Sequence, residues 1–443
     1  VSEKKETDRF YKLAAKYAEF YKGKVEVVPK VPIRELLDFA IWYTPGVAEP
    51  SRIIAKDPEL SFEMSGRWNT IAVVSDGTRV LGLGNIGPEG AYPVMEGKAL
   101  IFRYLGGVDA VPLTVRARDP EKMLELLELI EPAFGGINLE DIESPKCFYV
   151  LEEARKRLQI PVWHDDQQGT ATVTMAGLLG ALDVVGKKLS EVKIVLFGAG
   201  AANIAFYRLL KISEADLKKV SVLDSKGVLH PGRPDIEKLK ETNPWKYNIA
   251  METEGGGVVG GPEEAFKGAD VVIAASKPGP GTIKKEWIAS MADNAIVFAE
   301  ANPVPEIWPW EAKEAGAKIV ATGRSDFPNQ VNNSLAFPAI FRGVLDVRAR
   351  TVTDDMAYAA AEEMYRFAKE KGLSEDYIIP RMDEWEVFPR VAVATALKAI
   401  EMGVARRKAS RDELYQHATE IIKRSQDMTK KLMELGFIKP LPE

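Results

Sequence analysis

Cysteine is almost missing from this chain. Its 443 residues include one, Cys147, which excludes an intrachain disulfide and suits a reducing compartment. Histidine is nearly as scarce, with only His164, His230 and His417 scattered along the sequence. A zinc site built from Cys and His has too few ligands here, so any metal must be held mainly by oxygen. Long apolar runs are missing too. No stretch reaches the roughly 18 uncharged apolar residues of a membrane span. The opening VSEKKETDRF lacks the apolar core of a signal peptide. Positive charge is not in excess: 59 Lys and Arg face 65 Asp and Glu, for a net charge of −6. No basic arm or dense Lys/Arg patch stands out, which argues against nucleic acid. A cytoplasmic protein with small-molecule ligands is the expectation that these absences leave.

What is present allows a sizeable core. The length and a hydrophobic content of 46% suit two or three domains. Residues 1 to 22 read as an amphipathic helix, and PIRELLDFA, from Pro32, as another. TIAVVSDGTRVLGLG, 70 to 84, reads as two strands across the turn Asp76-Gly77. VDAVPLTVRA, GGINLEDI and IPVWHDD read as further strands, separated by helical DPEKMLELLELIEPAF and SPKCFYVLEEARKRLQ. Lys98 falls near the start of a helix, EGKALIFRYLG. Beyond 170, TATVTMAGLLGALDVVG is helical, with Thr170 as a cap. VKIVLFGAG, KVSVLDSKG, GADVVIAAS, NAIVFAEANP and AKIVATG then read as strands. From about 345 the pattern is mostly helical, and Ser410 with Glu413 forms a capping box before a long helix stopped by Gly436. Such alternation implies parallel sheets covered by helices.

Two glycine fingerprints compete. GLGNIG, 82 to 87, fits G-x-G-x-x-G literally, whereas GAGAAN, 198 to 203, places Asn203 where the third glycine belongs. Context reverses that order. A dinucleotide site needs strand, tight turn, helix, and an acid at the end of the next strand. KIVLF precedes Gly198, a helix follows, and VSVLD ends at Asp224, 26 residues beyond Gly198. The residues Gly198, Ala199, Gly200, Ala201, Ala202 and Asn203, with Asp224, are therefore the expected coenzyme contacts. After Gly87 the prolines of PEGAYP oppose an immediate helix, so GLGNIG is read as a pocket wall. Asn203 is expected to loosen the helix–strand contact that glycine would allow. Asp224 favours NAD, while nearby Lys226 or Arg233 offers a partner for the 2′-phosphate of NADP.

Acids also cluster. Glu140-Asp141 ends one strand and Asp165-Asp166 another. Ligands of open α/β sheets bind beyond the carboxyl ends of strands. Acid pairs gathered there repel unless a cation joins them, and Mg²⁺ or Mn²⁺ prefers such hard oxygen ligands. The plainer alternative for each pair is a solvated cap or loop acid.

At this point the sequence resembles the malic enzyme family in its shorter prokaryotic form. The matching segments are YTPGVA at 43 to 48, VLGLGNIGP at 80 to 88, PVMEGKALIF at 93 to 102, NLEDI at 138 to 142 and HDDQQGTA at 164 to 171. They continue with GAGAA at 198, DSKG at 224, ASKPG at 275, ANP at 301 and NQVNNSLAFPAIFRGVLD at 329 to 346. The resemblance implies a Rossmann-type nucleotide-binding domain plus an α/β substrate and metal domain completed by C-terminal helices. Residues 1–164 would form the substrate and metal domain, 165–332 the NAD(P)-binding domain, and 333–443 the return to the first domain with the last helices.

It also implies a reaction: L-malate to pyruvate and CO₂, with reduction of NAD or NADP, assisted by Mg²⁺ or Mn²⁺. Carried over by motif, Glu140, Asp141 and Asp166 would hold the metal, Lys98 would be the general base and Tyr43 the general acid. Asp165 would support them from beside the metal. Asn302 and Asn333 would lie near substrate and nicotinamide, and Arg79 aligns with a carboxylate-binding arginine of longer forms. His164 is read as packed or supporting, and Cys147 as a buried helix residue. A homodimer or larger even oligomer is expected. Rival readings are a malolactic enzyme releasing lactate, a 2-hydroxy-acid dehydrogenase without decarboxylation, and a non-enzymatic dinucleotide sensor.

Overall fold

Near-continuous apolar segments such as IVLF, VVIA and AIVFA form strands buried on both faces, as parallel sheets require. The computed structural model describes residues 2–442. Two sheets result. The first contains β1 (Thr70–Ser75), β2 (Asp109–Thr114), β3 (Gly136–Leu139) and β4 (Val162–His164), parallel and ordered β2-β1-β3-β4. The second contains β5 (Ile194–Phe197), β6 (Val220–Asp224), β7 (Gly227–Val228), β8 (Val271–Ala274), β9 (Ala295–Ala299) and β10 (Ala317–Thr322). Its order is β10-β9-β8-β5-β6-β7, parallel except for the short antiparallel β7. The chain leaves β5 toward β6 and later restarts at β8 on its other side. That reversal is the topological switch point where doubly wound sheets bind dinucleotides.

The helix Thr170–Val185 carries the chain from the first sheet to the second. Helices Phe337–Asp346, Asp354–Lys371, Val387–Glu401 and Arg411–Glu434 then complete the structure. The first of these packs on the helix Gly87–Gly106. Phe102 meets Phe337 and Phe341 at centroid distances of 4.5 and 5.2 Å. A Cβ at Gly106 would lie 2.6 Å from the Pro338 carbonyl oxygen, so glycine is what allows the close approach. Buried Arg342 donates to Asp346 and to Asn69 beside β1, fixing the returning helix against the first sheet.

Several sequence expectations need correction. The helix at the N-terminus is Ser2–Tyr21, with Val1 outside the described residues. Only a short helix, Asp38–Trp42, forms in the region read as helical from Pro32. The second strand expected after Asp76-Gly77 is instead a tight turn at Leu81–Leu83. A 20-residue helix begins at Gly87, directly after GLGNIG, despite Pro88 and Pro93. Pro88 occupies the first turn, where no amide donor is needed. Lys98 consequently sits in mid-helix rather than near its start. Thr170 is not a cap: the π-helical turn Asp165–Gly169 runs directly into its helix. The capping box of Ser410 and Glu413 forms as expected, and Gly436 ends that helix at φ 78°.

Candidate active site

Strands β3 and β4 are neighbours, so the acids that follow them arrive side by side. Glu140, Asp141 and Asp166 each present an oxygen such that the three lie within 4.8 Å of one another. The Asp141 amide donates to Asp166 Oδ2 at 2.8 Å, locking the two loops together. Asp141 itself adopts a left-handed backbone, φ 55°, an unusual conformation for a residue with a Cβ. Its Oδ2 is buried and has no hydrogen-bond partner in the protein. Glu140 is aimed by Asn138, two residues earlier on the same face of β3, which donates to its Oε2 at 3.0 Å.

Lys98 is the only cation reaching into this group among the described residues. Its side chain is 11% exposed, and its Nζ pairs with Asp165 and lies 3.2 Å from Glu140 Oε1. It also donates to Asn333 Oδ1 at 3.2 Å and lies 4.4 Å over the Phe337 ring. Asp165 is fully buried and accepts a second bond from Trp163 Nε1 at 3.1 Å. The π-turn depends on Gly169, because a Cβ there would overlap Asp165 Oδ1. Gln168 pins the turn from behind, accepting from the His164 amide and donating to Asp354.

Four carboxylates therefore face one ammonium. Burial raises Asp141 to about 8, with Asp166 adding to it. Burial likewise raises Glu140, Asp165 and Asp166, with Lys98 pulling each back. For Lys98, burial favours the neutral amine, but Asp165, Glu140 and Asp166 together outweigh it and hold the proton more firmly than usual. The balance thus falls on the side of the charged amine. His164, adjoining the acids, is fully buried and pushed down to about 3 by burial and by Arg208, so it is neutral. An all-oxygen donor set with an unpartnered buried oxygen fits Mg²⁺ or Mn²⁺.

The second sheet supplies the other wall. Asn302 follows β9 and is exposed, with its loop against the first glycine fingerprint: a Cβ at Gly82 would lie 3.0 Å from the Asn302 carbonyl oxygen. The turn after β5 requires Gly198, at φ 108°, since a Cβ there would come within 2.5 Å of the Ala275 carbonyl oxygen. Space around Gly200 is open, and the helix Ala201–Ile212 starts beside it with free amides for a phosphate. Asn203 corrects the expectation of loose packing. Its buried Nδ2 donates to the carbonyls of Gly198 at 2.8 Å and Ile273 at 3.2 Å, tying turn, helix and β8 together.

Asp224 ends β6 as expected but is already engaged by the Lys226 amide, by Arg233 at 3.0 Å and by Lys246 at 3.1 Å. Arg233 is nearly fully buried and also forks onto Asp235, so it is committed to structure. Lys226 is exposed but pairs with Asp235 at 2.8 Å.

Two expected residues make no side-chain hydrogen bond or ion pair with the carboxylates among the described residues. Tyr43 is 70% exposed, and no hydrogen bond or ring contact joins it to Lys98 or the acids among the described residues. Arg79 is exposed and donates from its amide to the Asp141 carbonyl at 3.0 Å, while its charge draws Asp141 and Asp166 down against the effect of burial. Sequence reasoning missed a clamp that joins the turn after β1 to the segment after β3. Lys146 pairs with Asp76 at 2.6 Å, and Thr78 Oγ1 accepts from the Glu143 amide at 3.0 Å. Polar residues within an otherwise apolar strand end were its only signal.

A doubly wound dinucleotide sheet facing a carboxylate cluster and a buried lysine defines a coenzyme-linked oxidoreductase with an oxygen-ligand cation site. Comparison with known proteins narrows this class. Residues 22–155 match the family model "Malic enzyme, N-terminal domain", and residues 167–400 match "Malic enzyme, NAD binding domain". The bifunctional malic/malolactic enzyme of Bacillus subtilis is 48% identical over 384 residues, covering 87% of this chain and 92% of that protein. The NAD-dependent malic enzyme of Geobacillus stearothermophilus is 45% identical, covering 87% and 78%. Among solved structures, the Entamoeba histolytica malic enzyme superposes with a TM-score of 0.95 at 47% identity, covering 98% of this chain and 91% of that one. The Pyrococcus horikoshii malic enzyme gives 0.88 at 50% identity, covering 93% and 94%. The chain belongs to the malic enzyme family. No helix among the described residues is long and apolar enough to cross a membrane.

Proposed function

We propose that the protein converts L-malate to pyruvate and CO₂ while reducing NAD or NADP. The observation that carries this reading is the convergence of Lys98 and Asn333 on Glu140, Asp141, Asp165 and Asp166, opposite the nucleotide sheet. Glu140, Asp141 and Asp166 would hold a divalent cation. When bound, that cation supplies positive charge for the malate C2 oxygen and an adjacent carboxylate.

Lys98 is placed to take the C2 hydroxyl proton. Compensation of the surrounding carboxylates withdraws the support that now holds its own proton. Burial then drives it toward the neutral amine that a base requires. A bound nicotinamide would supply the acceptor for the C2 hydride, and Asn302 and Asn333 would orient it without adding charge. The C3–C4 bond then breaks, CO₂ leaves, and its electron pair forms the C2–C3 enolate. Protonation at C3 completes pyruvate.

Tyr43 is proposed as the donor of that last proton, delivered by a second copy of the chain. Its surroundings support this. Val27, Ile33, Leu36, Leu37 and Ile41 on the same arm all expose apolar surface, more than a solvated arm normally carries. A homodimer with arms exchanged would cover them. Mixing inactive Tyr43→Phe and inactive Lys98→Met proteins under subunit exchange tests the placement. Recovery of part of the wild-type activity is expected, and no recovery despite proven exchange would rule out delivery by the second copy.

The function itself is tested with L-malate, Mn²⁺ and each coenzyme. Pyruvate formed in step with reduced coenzyme is the expected result. The B. subtilis relative is named for both activities, so products must be identified. Lactate without net reduction would establish the malolactic reaction instead. Tight coenzyme binding without turnover would favour a sensor.

A further inference from the structure

Glu300 has no role in the reaction above. It follows β9 and stands two residues before Asn302. Its side chain is buried, at 8% exposure, and it forms no ion pair among the described residues. Oε1 lies 2.7 Å from Thr174 Oγ1, while Oε2 is buried without a partner. Thr174 belongs to the helix that continues from the π-turn carrying Asp165 and Asp166. Its hydroxyl also lies 2.8 Å from the Thr170 carbonyl oxygen.

The protons can be counted. The carbonyl has none and the hydroxyl has one. If Glu300 were ionised, a single proton would serve two short contacts, and the other contact would press two acceptor oxygens together. If Glu300 is protonated, it donates to Thr174, which donates to Thr170, and both contacts are filled. We propose that Glu300 is a positioning residue held as the neutral acid. Its relay through Thr174 to Thr170 fixes the strand end bearing Asn302 against the helix of the carboxylate loop.

The surroundings agree. The charged group facing Glu300 is Glu306, which adds negative charge, and the helix side offers only hydroxyl and carbonyl. Burial pushes Glu300 up to about 8. Glu306 is itself spent on neighbouring loops, accepting from the Ser276 amide at 2.8 Å and the Ala301 amide at 3.1 Å. It is not a proton partner for Glu300.

Glutamine is the test residue, because its amide donates to Thr174 as the neutral acid does. Infrared spectra of the full-length protein are compared between wild type and Glu300→Gln across a pH series. Asp141 contributes to both proteins, so the expected signature of Glu300 is a protonated-carboxyl band in the wild-type-minus-E300Q difference spectrum that disappears as pH rises through about 8. No such difference would overturn the proposal. Thermal stability supplies a second readout. The native acid keeps its proton above the ordinary value of 4.5, so wild-type stability should fall relative to E300Q from pH 4.5 to about 8 and then level off. Parallel stability curves would contradict the assignment.

The kinetic readout rests on the malate reading, whereas the spectroscopic and thermal ones stand without it. E300Q should keep wild-type Michaelis constants, within about twofold, below the transition. Above it, those of the wild type should rise and those of E300Q should not. Identical pH profiles for the two proteins would show that the proton on Glu300 does no positioning.

Discussion

Asp166→Asn should lose metal-dependent malate turnover while remaining folded. Asn keeps an oxygen that can accept from the Asp141 amide, so the bond joining the two loops survives. What disappears is one of three carboxylate charges gathered within 4.8 Å. Altering a residue that merely orients a ligand costs roughly 10–100-fold in metal affinity or activity. Removing a ligand charge should exceed this, and excess Mn²⁺ should recover only part of the loss. Circular dichroism and the thermal transition would confirm folding. Unchanged turnover in D166N would remove Asp166 from the cation site.

Lys98→Met should be the most damaging change to the chemistry. The side chain keeps its length and its contact with the Phe337 ring but can neither accept nor hold a proton. A general base contributes on the order of 10²–10⁴-fold, and turnover should fall by that amount. Stability should change as well. Asp165 is fully buried and loses its only cationic partner among the described residues. Removing one member of a buried pair costs about 3–5 kcal/mol. Burial and Asp166 raise Asp165 even against the pull of Lys98 and Trp163, so without the lysine a proton at acid pH can replace its charge and the loss shrinks. Saturating Mn²⁺ should also narrow the gap. Equal stability of variant and wild type at neutral pH would show that Lys98 does not balance the carboxylates.

Much of this site was readable from sequence because its parts lie at strand ends. Glu140-Asp141 and Asp165-Asp166 follow apolar strands, and a parallel sheet must bring such ends to one edge. Asp224 was legible for the same reason. Proline and glycine misled at Gly87. Local propensity argued against a helix there, but 20 residues of packing against the first sheet and the helix Phe337–Asp346 prevail. Asn203 misled in the opposite way. Its substitution for glycine looked like a steric problem, yet its amide satisfies two buried carbonyls. Neither bond is local in sequence, and only the close approach of β8 creates the second. Tyr43 was singled out by motif alone. A motif carries no information on which copy of a chain presents the residue. Glu300 was hidden in the apolar segment NAIVFAEANP, where one acid reads as a strand end facing solvent.

The clustered acids are expected to form a divalent cation site serving malate. Titration of Mn²⁺ into the metal-free protein, followed by calorimetry, tests it directly. Saturable binding of about one ion per chain is expected, tightened by L-malate and lost in D166N. Absence of saturable binding, or binding unaltered by both malate and D166N, would contradict it.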